Sequence, residues 1–139
     1  MSKILHVHVC SFSFIKRGYP VDESEHGGGF VFDCRAMPNP GRHDEYKLLT
    51  GLDDEVIVYM ARHSVCQHFI SNVMNLLHSV IVRYHEEGYE YLSIAFGCTG
   101  GQHRSVYFAE QLVVMINLYF SSIVEVHLRH LEQERWPTP

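Results

Sequence analysis

A short glycine-rich segment, residues 97–105, carries the densest group of side chains that can bind or transform a ligand. It contains a thiol, two hydroxyls, an imidazole and a guanidinium, supplied by Cys98, Thr99, Ser105, His103 and Arg104. Its glycines, Gly97, Gly100 and Gly101, let the backbone turn tightly or let another group approach closely. Such a set of donors around a glycine turn favours a site for a small anion.

The sequence on either side of this segment predicts the elements that position it. Residues 92–96 form an apolar run of strand length, and apolar residues recur at helical spacing from Val106 to Ile116. A strand, a glycine turn and a helix in this order aim several backbone N–H groups at one point, where the helix dipole adds positive charge. Arg104, at the junction, supplies a planar fork that suits phosphate. We therefore expect an anion site for a phosphate ester, with a plain structural turn as the alternative.

The same segment also satisfies the pattern C-x-x-G-x-x-R-[ST] of cysteine-dependent phosphatases, through Cys98, Gly101, Arg104 and Ser105. In those enzymes a thiolate attacks phosphorus and the arginine holds the equatorial oxygens. The histidine that usually precedes their cysteine is Gly97 here, and a general acid would have to come from Asp33, Asp44 or Asp53. The rest of the chain does not resemble these enzymes, so catalysis by Cys98 and Arg104 is kept as the alternative function.

Composition and charge limit the classes of function open to the chain. It has 139 residues, of which 46% are hydrophobic, which is enough for the core of one domain. The formal net charge of −5 provides no overall basic field for nucleic acid, so any RNA contact needs a local patch. The four cysteines form no C-x-x-C pair and no signal peptide precedes them, which predicts reduced thiols in the cytoplasm. No apolar stretch reaches the ~20 residues of a membrane span, so no membrane contact is expected.

Neither a cofactor nor a metal is expected from the sequence. Histidines are frequent in and before the longest predicted helix, but they lack the i, i+4 spacing with a third ligand that zinc sites use; they are His63, His68, His78 and His85.

Alternating strands and helices predict an α/β fold, a single small domain with a mainly parallel sheet flanked by helices. Strands are expected at residues 4–10, 30–35, 92–96 and 123–130, and a long helix at 65–85. Gly88 is the expected stop of that helix, and Asp53 is the expected N-cap of a shorter one.

Ligands of α/β folds gather at the carboxyl ends of the strands, which adds further candidates. Asp33 and Arg35 share a face at the end of the second strand. His127, Arg129 and His130 end the last strand, where they either join the site or face solvent. Residues 132–139 are expected to fray or to contact another subunit.

Several motifs resemble those of one known family. The central segment Gly97-Cys-Thr-Gly-Gly-Gln-His-Arg-Ser-Val-Tyr107 is similar to the C-terminal domain of the RapZ family of RNase adapter proteins. Further matches are Ser11-Phe-Ser-Phe14, Val31-Phe-Asp-Cys-Arg35, Pro38-Asn-Pro40, Thr50-Gly-Leu-Asp53 and Ala109-Glu-Gln-Leu112. The resemblance implies a domain related in architecture to a phosphofructokinase lobe, which recognises the amino-sugar phosphate glucosamine 6-phosphate. It also implies self-association and, in the better-known members, binding of a small regulatory RNA.

Carried over by motif, the resemblance implies ligand contacts from Thr99, Gly100, His103 and Arg104. The wider candidate set adds Gly101, Ser105, Asp33, Arg35, Asn39 and His43. The family's Pro-Asn-Pro-His motif has a ligand histidine where this chain has Gly41, and His43 is the expected substitute.

The resemblance covers one half of the family's architecture. The chain contains no G-x-x-x-x-G-K-[ST] motif, so we expect a stand-alone domain without the amino-terminal P-loop half and without nucleotide binding by that route. RNA contacts are expected at the basic residues Lys16, Arg17, Arg42 and Arg129.

Overall fold

The computed structural model describes residues 3–22 and 24–138. These residues form the strands β1 (Leu5–Ser13), β2 (Phe30–Asp33), β3 (Tyr91–Cys98) and β4 (Val124–His130) and the helices α1 (Asp54–Ala61), α2 (Ser64–Glu86) and α3 (Arg104–Phe120). Short 3-10 turns lie at Pro40–Arg42, Asp44–Tyr46 and Gln133–Arg135. The α/β architecture expected from the sequence is confirmed.

The four strands form one parallel sheet in the order β2-β3-β1-β4. β1, the first strand of the chain, therefore lies between β3 and β4, so that the connections from β1 to β2 and from β3 to β4 each cross over one strand. At the carboxyl edge of the sheet, Ser13 is in register with Cys98, and Gly97 with Asp33. The expectation of a mainly parallel sheet holds for every pair of strands described.

The hydrophobic core lies between the sheet and the helices. Alternate residues of β1 and β3, among them Val7, Val9 and Ile94, are almost completely buried and belong to one core cluster with residues of α2 and α3. Phe108 of α3 contacts the ring of Phe69 of α2 edge to face, with 4.9 Å between the ring centres. Burial of each such side chain contributes about 1.5–3 kcal/mol, which is what holds the helices on the sheet.

The opposite face of the sheet carries histidine and polar side chains. His6, His8 and Cys10 of β1 are half-buried there, because they alternate with the core residues. The segment between β1 and β2 covers part of this face, since the ring of His26 stacks on that of Tyr91. The neighbouring part, along β1 and β4, remains accessible.

The predicted helix boundaries agree well with the structure. α1 begins directly after Asp53, and α2 ends two residues before Gly88, which has a φ of 76° and so stops the helix in the left-handed region. By length and composition alone α2 could cross a membrane, with a mean hydropathy of 1.2 over 18 residues. Core helices of globular proteins pass the same test, and one side of α2 is buried in the core, so this is weak evidence for a span.

One expected boundary is wrong. β2 stops at Asp33 and not at Arg35, because the chain turns at once, with Met37 N donating to the Cys34 carbonyl oxygen at 3.1 Å. Of the two alternatives for the tail, fraying does not hold for residues 132–136, because the indole N–H of Trp136 donates to the carbonyl oxygen of Gly101 at 2.9 Å and the Glu132 side chain is fully buried. Contact with another subunit stays a prediction. Pro139 lies outside the described residues.

Candidate functional site

The glycine-rich segment lies at the carboxyl edge of the sheet, between the end of β3 at Cys98 and the start of α3 at Arg104. Gly101 has a φ of 68°, and a Cβ placed on it would meet the side chain of Glu132 and the backbone of Ser13. Only glycine fits this position without strain. The turn thus packs against the end of β1 and against Glu132 in the carboxy-terminal segment.

The backbone of this turn presents a row of free donors. None of the five N–H groups from Thr99 to His103 donates a hydrogen bond to another group within residues 3–22 and 24–138. They follow a strand and precede the N-terminus of a 17-residue helix, whose dipole favours negative charge at this end. This arrangement suits an anion that accepts several hydrogen bonds at once.

Arg104 is buried, with 6% of its surface exposed, and its orientation is fixed by backbone carbonyls. Its Nη1 donates to the carbonyl oxygen of Arg35 at 2.7 Å and to that of Met37 at 3.3 Å. The remaining N–H groups of the guanidinium make no hydrogen bond within the described chain. Arg104 therefore ties the segment after β2 to α3 while it keeps donors for a ligand.

His103 is held as a neutral imidazole. Its Nε2 lies 2.9 Å from the carbonyl oxygen of Tyr46, which can only accept, so Nε2 carries the proton. Burial lowers the pKa of His103, and the backbone carbonyls around Nε2 oppose that shift only in part. The free ring nitrogen is Nδ1, which is a hydrogen-bond acceptor. It can bind a hydroxyl or an amine, which donate, but not an ionised phosphate oxygen, which only accepts.

Asp33 and Arg35 form a bidentate ion pair at the end of β2, with contacts of 2.9 Å from Nε to Oδ1 and 2.6 Å from Nη2 to Oδ2. The hydrogen bonds from Arg35 hold the pKa of the Asp33 carboxyl below its usual value. The guanidinium also lies over the ring of Phe14, 4.3 Å from its centre. Both charged groups are about half exposed, so they rim the site.

Asn39 and His43 are occupied by local contacts. Asn39 Oδ1 accepts the N–H of Gly41 at 2.9 Å and caps the turn at Pro40–Arg42, which leaves its amide N–H groups as donors. His43 is exposed, and its ring packs against those of Tyr46 and Tyr59. A Cβ on Gly41 would lie 3.6 Å from His103 Nδ1, so position 41 borders the free nitrogen of His103 directly.

Cys98 and Ser105 point into the protein. The Cys98 thiol is 3% exposed and donates to Ser105 Oγ at 3.1 Å, and the Ser105 N–H lies 3.4 Å from the same sulfur. Ser105 itself is completely buried. Neither group is presented to the mouth of the turn, in contrast to the exposed Thr99 and half-exposed Gly100.

The basic residues expected to contact RNA lie in different surroundings. Arg17 donates to the buried carboxylate of Glu132 at 2.8 Å and to the Leu131 carbonyl oxygen at 2.8 Å. Arg17 and Arg129 both act electrostatically on the Cys10 thiol, which places them near one end of β1. Lys16 and Arg42 are exposed, Lys16 beside Arg17 and Arg42 in the turn after β2.

Comparison with known proteins decides the family. Residues 5–134 match the model of the RapZ C-terminal domain. The chain belongs to the RapZ C-terminal domain family. It is 38% identical over 128 residues to a nucleotide-binding protein of Fervidobacterium nodosum, covering 92% of this chain and 42% of that protein. It is 41% identical over 125 residues to one of Pseudoalteromonas translucida, covering 90% and 41%. The chain thus spans about two fifths of the length of these curated relatives, and the nucleotide binding in their names is a statement about those proteins.

Sequence reasoning missed the residues that support the site from other parts of the RapZ domain. Gln102 Nε2 donates to the carbonyl oxygens of Leu49 and Lys47 at 2.7 and 2.9 Å. Glu132 accepts from Arg17, from the Ser13 N–H and from Arg135, all on a side chain with no exposed surface. No local pattern marks a glutamate in a charged tail as buried, so the sequence offered no signal for it.

The three residues at the end of β4 that were candidates for the site, His127, Arg129 and His130, lie in different surroundings. His130 Nδ1 lies 2.7 Å from Ser11 Oγ, and its Nε2 lies 2.9 Å from Glu110 Oε2. This chain of hydrogen bonds joins β1, α3 and β4. Arg129 is exposed and His127 is half-buried on the opposite face of the sheet, so neither accompanies His130.

Proposed function

We propose that this domain is a regulatory module that binds the phosphate ester of an amino sugar, of the glucosamine 6-phosphate type, at the turn formed by residues 97–105. The observation that carries the proposal is the row of free backbone donors from Thr99 to His103, at the N-terminus of α3 and beside the Arg104 guanidinium. Membership in the RapZ C-terminal domain family supports a regulatory role.

The phosphate end of the ligand is argued from charge and geometry. A phosphate monoester brings three acceptor oxygens and up to two negative charges, which match several N–H donors, a helix N-terminus and one arginine. Gly100 lines this space, because a Cβ on it would meet no atom within 4 Å. The phosphate is therefore expected to lie over the backbone of Thr99 and Gly100.

The sugar end is argued from His103. Its neutral ring offers Nδ1 as an acceptor, and a ligand atom placed there has to donate. The ammonium or a hydroxyl of an amino sugar meets this requirement. Asp33 is ionised, but its charge is balanced by the bidentate pair with Arg35, so it offers a half-exposed acceptor at the end of β2 rather than net negative charge.

Calorimetric titration with glucosamine 6-phosphate tests the proposal, with glucose 6-phosphate, glucosamine and inorganic phosphate as comparison ligands. We expect glucosamine 6-phosphate to bind most tightly and to stay intact. Gly100→Ala adds a methyl group in the proposed phosphate space without a clash in the protein, so it should weaken binding and leave stability unchanged. Equal affinity in this variant would place the ligand elsewhere, and release of phosphate would indicate an enzyme.

RNA binding, self-association and a cytoplasmic location complete the proposal. Lys16, Arg17 and Arg129 supply a local basic group at one end of β1, whereas Arg42 lies apart from it. Contacts of these residues with RNA phosphates would make the affinity fall as salt is raised, because counterions are released. Undetectable or salt-insensitive RNA binding would contradict this part, and a monomeric mass in light scattering would contradict self-association.

A further inference from the structure

A second group of side chains with ligand chemistry lies on the accessible face of the sheet, among residues that play no part in the anion site. His6 of β1 and Glu125 and His127 of β4 place one ligand atom each within 4.8 Å of one another. His6 Nδ1 lies 3.0 Å from His127 Nε2 and 3.6 Å from Glu125 Oε2. Two imidazoles and a carboxylate thus converge on one point.

The spacing of these atoms fits a tetrahedral metal site. Zinc bonds of about 2.0–2.1 Å to nitrogen or oxygen at tetrahedral angles put neighbouring ligand atoms about 3.3 Å apart. The two measured distances from His6 Nδ1 lie on either side of this value. The side chains of His6 and Glu125 are 40% and 61% exposed, so an ion can enter and a carboxylate oxygen can adjust by a few tenths of an ångström.

Hydrogen bonding within the group can join only two of its three side chains. Both Glu125 and His127 approach the same atom, His6 Nδ1, and a single proton on that nitrogen can be directed at only one of them. At 3.6 Å the contact to Glu125 is too long for a hydrogen bond. A cation among them can accept a lone pair from each of the three ligand atoms, once both imidazoles are neutral with those nitrogens deprotonated.

The sheet holds the ligands in place. β1 and β4 are parallel neighbours, with His6 in register with Glu125 and His8 with His127. The ring of His127 also stacks on that of His8, with 4.6 Å between ring centres and an angle of 15° between the planes. Ligands on rigid strands and a stacked ring reduce the conformational entropy lost when an ion binds.

We propose that His6, Glu125 and His127 bind one divalent transition-metal ion of the zinc class, with its fourth coordination position open to solvent. Two imidazoles and one carboxylate form a borderline donor set that suits zinc and its neighbours better than calcium or magnesium. No sequence spacing marks this group, because its ligands come from two strands that meet only in the folded sheet.

Titration of the untagged protein with Zn²⁺ tests this site. We expect one ion per chain and an increase in the unfolding temperature with Zn²⁺ concentration, since the ion binds only the folded site. His6→Ala and His127→Ala should each weaken binding by at least about tenfold, because each removes a direct ligand. Co²⁺ in place of Zn²⁺ should give the intense visible absorption of a four-coordinate ion.

Matched variants separate this site from other ligands on the same face. His26→Ala removes a histidine that stacks on Tyr91 outside the group, and Cys10→Ser removes the thiol of β1; both should bind Zn²⁺ as the wild type does. Glu125→Gln alters a largely exposed carboxylate, so it tests the site even where a histidine variant fails to fold. The proposal is wrong if the wild type shows no saturable binding, if binding survives the His6, Glu125 and His127 changes, or if only Cys10→Ser abolishes it.

Discussion

His103 Nε2 lies 2.9 Å from the carbonyl oxygen of Tyr46, and this contact decides which nitrogen of the ring remains for a ligand. A neutral ring that donates from Nε2 accepts at Nδ1, which borders Gly41. We therefore expect His103 to contact a donor group of a ligand, and the backbone N–H groups beside it to contact an anion.

The buried state of His103 predicts a pH dependence of stability. Burial lowers its pKa from the ordinary value of 6.5, so the unfolded chain takes up a proton at a higher pH than the folded one. Its stabilising contribution is thus present above about pH 6.5 and is lost as the pH falls toward the depressed pKa. His103→Gln, which can still donate to Tyr46, should flatten the fall of the urea midpoint between about pH 7 and pH 5 relative to wild type.

His68→Gln is the control for this measurement, since it changes an exposed histidine of α2. An identical pH profile for wild type and His103→Gln would show that His103 does not titrate differently in the folded state.

Alanine is expected to affect stability differently at two neighbouring glycines, Gly100 and Gly101. At Gly101 the left-handed backbone alone costs about 1–2 kcal/mol for a non-glycine residue, and the contact with Glu132 adds to it. Gly101→Ala should therefore lower the free energy of unfolding by at least that amount, measured by urea denaturation. Gly100→Ala should leave it unchanged, because its Cβ would meet nothing within 4 Å. Similar losses in both variants would contradict the left-handed backbone at Gly101.

Gly41→His restores the side chain that the resemblance implies at this position. The new Cβ fits beside His103 with only a small shift of Asn39 Oδ1, which lies 3.1 Å away. One added hydrogen bond to a ligand is worth about 0.5–1.5 kcal/mol, so affinity for glucosamine 6-phosphate should rise about two- to tenfold. Gly41→Ala is the matched control, because it makes the same Cβ contacts without an imidazole. A gain in the alanine variant, or none with histidine, would contradict the prediction.

Glu132 is expected to be the most important charged group for stability. Burial raises the pKa of its carboxyl, but the hydrogen bonds from Arg17 and Ser13 outweigh burial and bring the pKa below its usual value. Glu132→Ala leaves these donors without their acceptor and should cost about 3 kcal/mol. The stabilising contribution of the charge is present above the unfolded pKa of 4.5 and is lost as the pH falls through the lower folded value.

The control for Glu132 is Glu90→Gln, which breaks an exposed ion pair with Lys3 and should change stability little. Comparable losses in the two variants would argue against a special role of the buried carboxylate.

Cys98 is expected to behave as a core residue. Its thiol is buried and donates to Ser105, so Cys98→Ser should bind sugar phosphate as the wild type does, and neither protein should release phosphate from p-nitrophenyl phosphate. A thiol reagent should also react slowly with Cys10, because burial raises the pKa of that thiol to about 11. Phosphate release that depends on Cys98 would reverse the assignment in favour of a phosphatase.

Sequence patterns located the elements of the site better than its contacts. The strand before Gly97, the helix after Arg104 and the stop at Gly88 follow from local composition and periodicity, and all three agree with the structure. The same patterns could not show that Ser105 is buried. Nor could they show that Arg104 Nη1 donates to the carbonyl oxygens of Arg35 and Met37. Those outcomes depend on which strand lies beside which.

By itself the sequence determined the α/β class, the parallel sheet and the glycine turn with its donors, because these rest on periodicity and on the conformational freedom of glycine over a few neighbouring residues. Only the tertiary structure decided that Glu132 supports Gly101 from the other end of the chain, and that His6 meets His127 across 121 positions. Both contacts arise from the crossover that places β1 between β3 and β4. Strand order is set by the packing of the whole core, and no local pattern encodes it.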